Sequence, residues 1–260
     1  MATYCMSDIH GQFSLFKKML EVIDFKHEDK LYIIGDIFDR GSDVYKIVKF
    51  IQTHPNVYML KGNHEEMAID AIHNNFGDWY FWFHKNGGNE TYNSFYRSFD
   101  DFKDRYQVKD REVCTQKEIM RFCKGLPLYK EIEVGGRKFF LVHAGIDPNR
   151  PLKEQTEDDM LWIREEFINV PITHDDFLNK TIIFGHTPTY YMHYLARVEM
   201  MNNHDVWVSP IYEDKIGIDG HAYDEYGQLN CLRLEDMKCF SVDHKFNVRE
   251  YKIDAMIKGK

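Results

Sequence analysis

Five short polar blocks, each carrying glycine, gather the residues of this chain that could do chemistry. They read Ser7-Asp8-Ile9-His10-Gly11, Gly35-Asp36-Ile37-Phe38-Asp39-Arg40-Gly41, Gly62-Asn63-His64-Glu65, His143-Ala144-Gly145 and Gly185-His186-Thr187-Pro188. Together they supply Asp8, His10, Asp36, Asn63, His143 and His186, the carboxylate, amide and imidazole donors that hold a pair of divalent cations. Asp36, in the middle of the set, is the natural bridging carboxylate. Asp8 and His10, two residues apart, face one way and can hold one cation with it, while Asn63, His143 and His186 can hold the other. Two carboxylates against two divalent ions leave positive charge, which attracts a phosphate and lowers the pKa of a shared water.

The remaining polar residues complete a hydrolytic site. His64 diverges from its neighbour Asn63 and is free to protonate a departing oxygen, with Asp39 as the carboxylate that orients and charges its ring. Arg40 can present a planar fork to two phosphate oxygens, and Asn63 is a second candidate for phosphate contact. Arg164, in Leu161-Trp162-Ile163-Arg164-Glu165, reads equally as a second clamp or as a helix-surface residue paired with a glutamate. No Gly-x-x-x-x-Gly-Lys-Ser/Thr or Gly-x-Gly-x-x-Gly loop is present, so a nucleotide as energy source is not indicated.

Each block follows an apolar run: Tyr4-Cys5-Met6, Leu31–Ile34, Val57–Leu60, Phe139–Val142 and Ile182–Phe184. Ligands at the carboxyl ends of neighbouring buried strands converge on one sheet edge, where α/β folds place their sites. Helical spacing over Phe13–Ile23 and Asp43–Thr53 alternates with the first strands and predicts a parallel or mixed sheet with helices on its face. From about 66 to 125 the pattern is helical without strands and predicts an insert or cap. Its aromatic run Trp79–Phe83 is expected to pack in the core. Leu128–Val134 and Arg137–Val142 about Gly135-Gly136 predict a hairpin, and the short strands after Thr181 predict a second, mostly antiparallel sheet. The fold class is α/β in one domain, 1–260, with substrate specificity expected in the insert and in the loop 189–205.

Bulk properties narrow the partners. The 260 residues carry a formal net charge of -9, which argues against a nucleic-acid or anionic-membrane binder. Hydrophobic residues make up 43%, in no run long enough to span a bilayer. The first residues lack a signal-peptide pattern, and the five cysteines lack Cys-x-x-Cys spacing. Both features favour reduced thiols in the cytoplasm.

These motifs resemble the phosphoprotein phosphatase family of calcineurin-like metallophosphoesterases, in particular its compact bacterial and phage serine/threonine phosphatases. The resemblance runs from about residue 3 to 235. Gly35–Gly41 matches that family's Gly-Asp-x-x-Asp-Arg-Gly, Gly62–Glu65 its Gly-Asn-His-Glu, and Arg164 stands in a Trp-x-Arg context like its second phosphate-binding arginine. Asn86-Gly87-Gly88 and Ile218-Asp219-Gly220 also look like the bacterial members. The resemblance implies a β-sandwich of two mixed sheets flanked by helices, manganese or a similar metal pair (iron and zinc being alternatives), and direct hydrolysis of a phosphorylated protein or small phosphomonoester. Ser7 departs from the family's usual glycine and is expected to tighten the first turn. A dinucleoside polyphosphate hydrolase is the alternative within the fold. Those enzymes tend to lack the Asp of Asp-Arg-Gly and to carry Asp after Asn-His, so Asp39 and Glu65 favour the phosphatase. A catalytically inactive scaffold would show lost ligands, and none is lost.

Overall fold

The computed structural model describes residues 1–73, 76–99, 108–195 and 203–253. The N-terminal apolar runs become β1 (Thr3–Met6), β2 (Lys30–Ile34) and β3 (Val57–Leu60), paired in parallel in that order. Helices α1 (Phe13–Val22) and α2 (Val44–Thr53) make the two crossovers. Parallel strands need such connections, because a tight turn cannot bring the chain back in the same direction.

Between β3 and β4 lie only helices among the described residues: α3 (Asn63–His73), α4 (Phe76–Tyr80), a one-turn π-helix (Phe81–Lys85), α5 (Gly88–Arg97) and α6 (Val108–Cys123). The aromatic run does not behave as one block. Trp82 is fully buried and Trp79 and Phe83 pack against the core, whereas Tyr80 and Phe81 are exposed. A helical turn points side chains all round, so five consecutive aromatics cannot share one face.

The hairpin β4 (Tyr129–Val134) and β5 (Arg137–Val142) turns at Gly135 and Gly136, with φ of 58° and 78°. Two central residues with positive φ make a turn whose twist matches the strands it joins. β5, β6 (Thr181–Phe184) and β8 (Lys215–Gly217) then run parallel, with β7 (Trp207–Val208) antiparallel at the edge. α7 (Glu157–Trp162), α8 (Glu165–Ile168) and α9 (Thr189–Leu195) lie in the connections.

The strands after Thr181 do not form a sheet of their own, contrary to the sequence expectation. β6, β7 and β8 join the sheet ordered β4-β5-β6-β8-β7. β9 (Gln228–Arg233), β10 (Lys238–Asp243) and β11 (Val248–Lys252) instead extend the first sheet, ordered β11-β10-β9-β1-β2-β3. Periodicity reports which faces are buried, not which strand is the neighbour, so the partition was not readable from pattern alone.

The two sheets face each other across a core that includes Cys5, Ile34, Leu141, Ile183, Ile216 and Leu232. Their alternate residues face outward: Met6 and Ile33 toward the N-terminal helices, Phe140 and Phe184 toward the helices of the second sheet. This period-2 division leaves the strand ends β1, β2, β3, β5 and β6 to deliver their loops along one edge. The loop 189–205 lies in part outside the described residues. Among the described residues no helix is long and apolar enough to cross a membrane.

At Gly136 a Cβ would meet nothing within 4 Å, so the cost of a side chain there is conformational only. Gly136→Ala should destabilise the fold by about 1–2 kcal/mol. The expected observation is a lower urea midpoint at unchanged m; an unmoved midpoint would reject the left-handed turn.

Candidate metal centre

Six of the predicted site residues adopt backbone conformations that side chains rarely take. Asp8, His10, Asp36, Asp39, Arg40 and His186 have φ between 44° and 69°. Each such residue is strained, and clusters of them mark places where the surrounding structure imposes a geometry. Glycine makes the room. A Cβ on Gly62 would lie 2.1 Å from Asp36 Oδ1, one on Gly185 2.1 Å from Asp8 Oδ2, and one on Gly35 2.5 Å from His143 Nδ1. Ser7, by contrast, lies outside the positive-φ set, so that turn tolerates a side chain.

Asp36, at the end of β2, is the shared member of two buried groups, His10–Asp36–His64 and Asp36–His143–His186. Its Oδ2 lies 3.4 Å from His143 Nε2 and 3.9 Å from both His10 Nε2 and His64 Nε2. Its Oδ1 accepts the His64 amide at 3.0 Å, at the start of α3, where the helix N-terminus favours negative charge. Glu65 secures the same turn from below. Its buried carboxylate accepts the amides of Asp36, Ile37, Phe38 and Gly62 at 2.8–3.1 Å. Burial, reinforced by the Asp36 charge, pushes Glu65 up to about 7 against those hydrogen bonds.

His10 and His143 turn Nε2 toward this centre. His10 Nδ1 is 2.7 Å from the Phe38 carbonyl and His143 Nδ1 is 2.9 Å from the Ile34 carbonyl. A carbonyl only accepts, so Nδ1 carries the hydrogen and Nε2 is left as the ligating atom. Asn63 Oδ1 lies 2.8 Å from His143 Nε2 and 2.9 Å from His186 Nδ1. With neutral His143 that places lone pair against lone pair, and His186 Nε2 is buried without a hydrogen-bond partner. Burial alone would lower His143, but Asp36 and Asp8 lift it to about 10. A proton is then held where a cation would serve all three acceptors. Asp36, despite burial, is held well below the usual carboxylate range by His143 and His64. Asp8 is pushed well above it by burial and by Asp219. The donor chemistry therefore fits divalent cations. Asp8 stands apart from both groups; its carboxylate accepts the His186 amide at 3.1 and 3.0 Å.

His64 Nδ1 lies 2.6 Å from Asp39 Oδ2, so the two residues predicted as a pair are brought together. Burial would lower the imidazole, but Asp36 and Asp39 raise it. The Arg40 guanidinium stacks 3.8 Å above the Tyr223 ring, and its Nη2 is 3.3 Å from His64 Nε2. Arg164 reaches the centre from the α7–α8 junction. Its Nη1 donates to the His186 carbonyl at 3.2 Å and the Thr187 hydroxyl at 3.1 Å rather than to a glutamate. A capping box of Thr156 and Asp159 starts α7.

Four neighbours of the centre were not in the predicted set. Trp82 and Thr91 bond Asp39 from the helical segment, Tyr223 stacks on Arg40, and Asp219 is buried near Asp8 and Asp36. Burial pushes the Asp219 carboxyl up to about 6 against the His221 amide, with Asp36 adding to the rise. The only sequence signal for Asp219 was its Ile-Asp-Gly context; Trp82, Thr91 and Tyr223 gave none.

Known proteins carry the same frame. Residues 1–219 match the model of the family described as calcineurin-like phosphoesterase. The chain is similar to Serine/threonine-protein phosphatase 2 of Salmonella typhimurium, 31% identical over 192 residues, 70% of this chain and 78% of that protein. It is also similar to a symmetrical bis(5'-nucleosyl)-tetraphosphatase of Wigglesworthia glossinidia brevipalpis, 40% identical over 67 residues, 25% of each chain. Among solved structures, one provisionally described as a diadenosine tetraphosphatase superposes with a TM-score of 0.55 at 18% identity, over 97% of this chain and 94% of that one. That last likeness concerns the fold. With the match covering most of the chain, and a buried Asp/His/Asn centre at the strand ends, the chain belongs to the calcineurin-like phosphoesterase family.

Proposed function

We propose that this chain is a metal-dependent phosphomonoesterase, specifically a serine/threonine protein phosphatase that hydrolyses its substrate directly. Asp8, His10 and Asp36 would hold one divalent cation, and Asp36, Asn63, His143 and His186 the other, manganese being the preferred metal. When bound, the pair supplies Lewis acidity that neutralises phosphate charge and makes water nucleophilic near neutral pH. Arg40 and Arg164 take phosphate oxygens as charge-assisted donors, with Asn63 beside them. His64 delivers a proton to the departing oxygen, and Asp39 keeps the ring oriented by holding Nδ1–H.

The observation that carries this reading is the 2.6 Å Asp39–His64 pair beside Arg40. A serine alkoxide is a strongly basic leaving group and needs a proton as its bond to phosphorus breaks. A nucleoside polyphosphate leaves as a weakly basic oxyanion and needs one much less. A buried, oriented imidazole therefore suits the phosphomonoester better than the dinucleotide on which the tetraphosphatase relatives are named. Five cysteines without Cys-x-x-Cys spacing, four of them buried, accord with a cytoplasmic enzyme.

With manganese added to metal-stripped protein, a phosphoserine peptide should be turned over in preference to diadenosine tetraphosphate. Preference for the dinucleotide would overturn the substrate while keeping the centre. His64→Asn should slow phosphoserine hydrolysis by ~10²–10⁴-fold and 4-nitrophenyl phosphate less; equal losses on both would refute the acid role. Asp36→Asn removes the shared ligand, so calorimetry should detect neither high-affinity manganese site, and activity should vanish. Because Asp8 and His143 are shifted up, cations compete with protons at the centre. Manganese binding should release protons and weaken as the pH falls, and a pH-independent affinity would reject these ligands.

A further inference from the structure

Asp39 orients the proposed acid, yet Asp39 is itself held from outside the strand-end blocks. We propose that Trp82 and Thr91, on the helical segment, are positioning residues of the hydrolysis, acting through Asp39 to aim His64. This rests on the phosphomonoesterase reading and extends it from the strand-end blocks to the helical segment.

The geometry leaves each donor one direction. Asp39, Trp82 and Thr91 are all fully buried, so solvent cannot replace a missing partner. Thr91 Oγ1 accepts the Asp39 amide at 2.7 Å, which commits its lone pair and turns its hydroxyl proton onto Asp39 Oδ1, also at 2.7 Å. Trp82 Nε1, a donor only, is shared between Oδ1 at 3.0 Å and Oδ2 at 3.1 Å. His64 Nδ1 takes the remaining approach to Oδ2. Three donors thus fix the plane of one carboxylate, and that plane fixes the line from Nδ1 to Nε2, which ends 3.3 Å from Arg40 Nη2.

The donors also divide the carboxylate's charge. Each oxygen accepts two hydrogen bonds, Oδ1 from Thr91 and Trp82 and Oδ2 from Trp82 and His64. Packing at the indole is correspondingly tight. Trp82 sits in the π-helix, a wider turn that recurs at functional sites, and a Cβ on Gly88 would lie 2.5–2.6 Å from three of its ring atoms. The adjacent Gly87 carbonyl accepts the Arg40 amide at 3.2 Å, so one short stretch of chain braces both the acid's partner and the phosphate clamp. A core tryptophan needs only some acceptor for its N–H; here the acceptor is the carboxylate whose other oxygen orients the acid.

Trp82→Phe keeps the ring and removes the donor. It should lower kcat on a phosphoserine peptide by about 10-fold, with a much smaller change on 4-nitrophenyl phosphate and with KM unchanged on both. In the full chain without paramagnetic metal, the downfield Nδ1 proton resonance of His64, identified by its loss in His64→Asn, should shift. Thr91→Val should act in the same direction and Thr91→Ser should restore both readouts, and that pair decides the matter if Trp82→Phe does not fold. Equal losses on the two substrates with an unmoved resonance, or full activity on the peptide, would overturn the proposal. If the wild type turns over neither substrate the phosphomonoesterase reading falls, whereas an unmoved resonance removes the support of Asp39 on its own.

Discussion

An ionised carboxylate buried among imidazoles is the constraint around which this edge of the molecule is built. Asp36 is almost wholly removed from water, a placement that costs several kcal/mol unless donors or cations surround the charge. Its left-handed backbone turns the side chain into the cluster, Glu65 takes its amide, and the first turn of α3 supplies a donor to Oδ1. The glycines at 35 and 62 are consequences of the same crowding, because either Cβ would collide with a candidate ligand or with the chain beside it.

The centre is also a seam. Asp8, His10, Asp36 and Asn63 come from the β1–β3 sheet, His143 and His186 from the β5–β6 sheet. Asn63 touches both of those histidines and Asp8 accepts the His186 amide, so polar contacts close one end of a sandwich whose interior is apolar. Cations bound there would tie the sheets together as well as act on substrate, which couples metal occupancy to folding stability.

Much of this was legible in the chain because chemistry and secondary structure coincide at the strand ends. Glycine-bounded polar blocks after apolar runs located the candidate ligands, and the structure gathers Asp36, His10, His143 and His186 with Asn63 as that pattern implies. The pairing of Asp39 with His64 followed from their company in two separate blocks. What the pattern did not reveal was anything depending on long-range placement. Trp82 is one aromatic in a run of five, and its N–H partner lies 43 residues away. Thr91 looks like any helical threonine, and Tyr223 follows no signal at all. The assignment of β9–β11 to the first sheet failed to show for the same reason: alternation specifies faces, and adjacency is settled by which surfaces remain unpaired.

That assignment bears on the order in which the protein can be made. β1 lies between β2 and β9, with Tyr4 opposite Arg233 and Cys5 opposite Leu232, so during synthesis it waits for a partner made more than two hundred residues later. Until then β1 is an apolar edge with unpaired amides, a surface that invites pairing with other chains. The loop carrying Asp8 and His10 leaves the end of that strand, and it is braced on both sides only when β9 arrives. A nascent chain halted after its last candidate ligand, His186, would hold every ligand yet still lack the strand that anchors the first two.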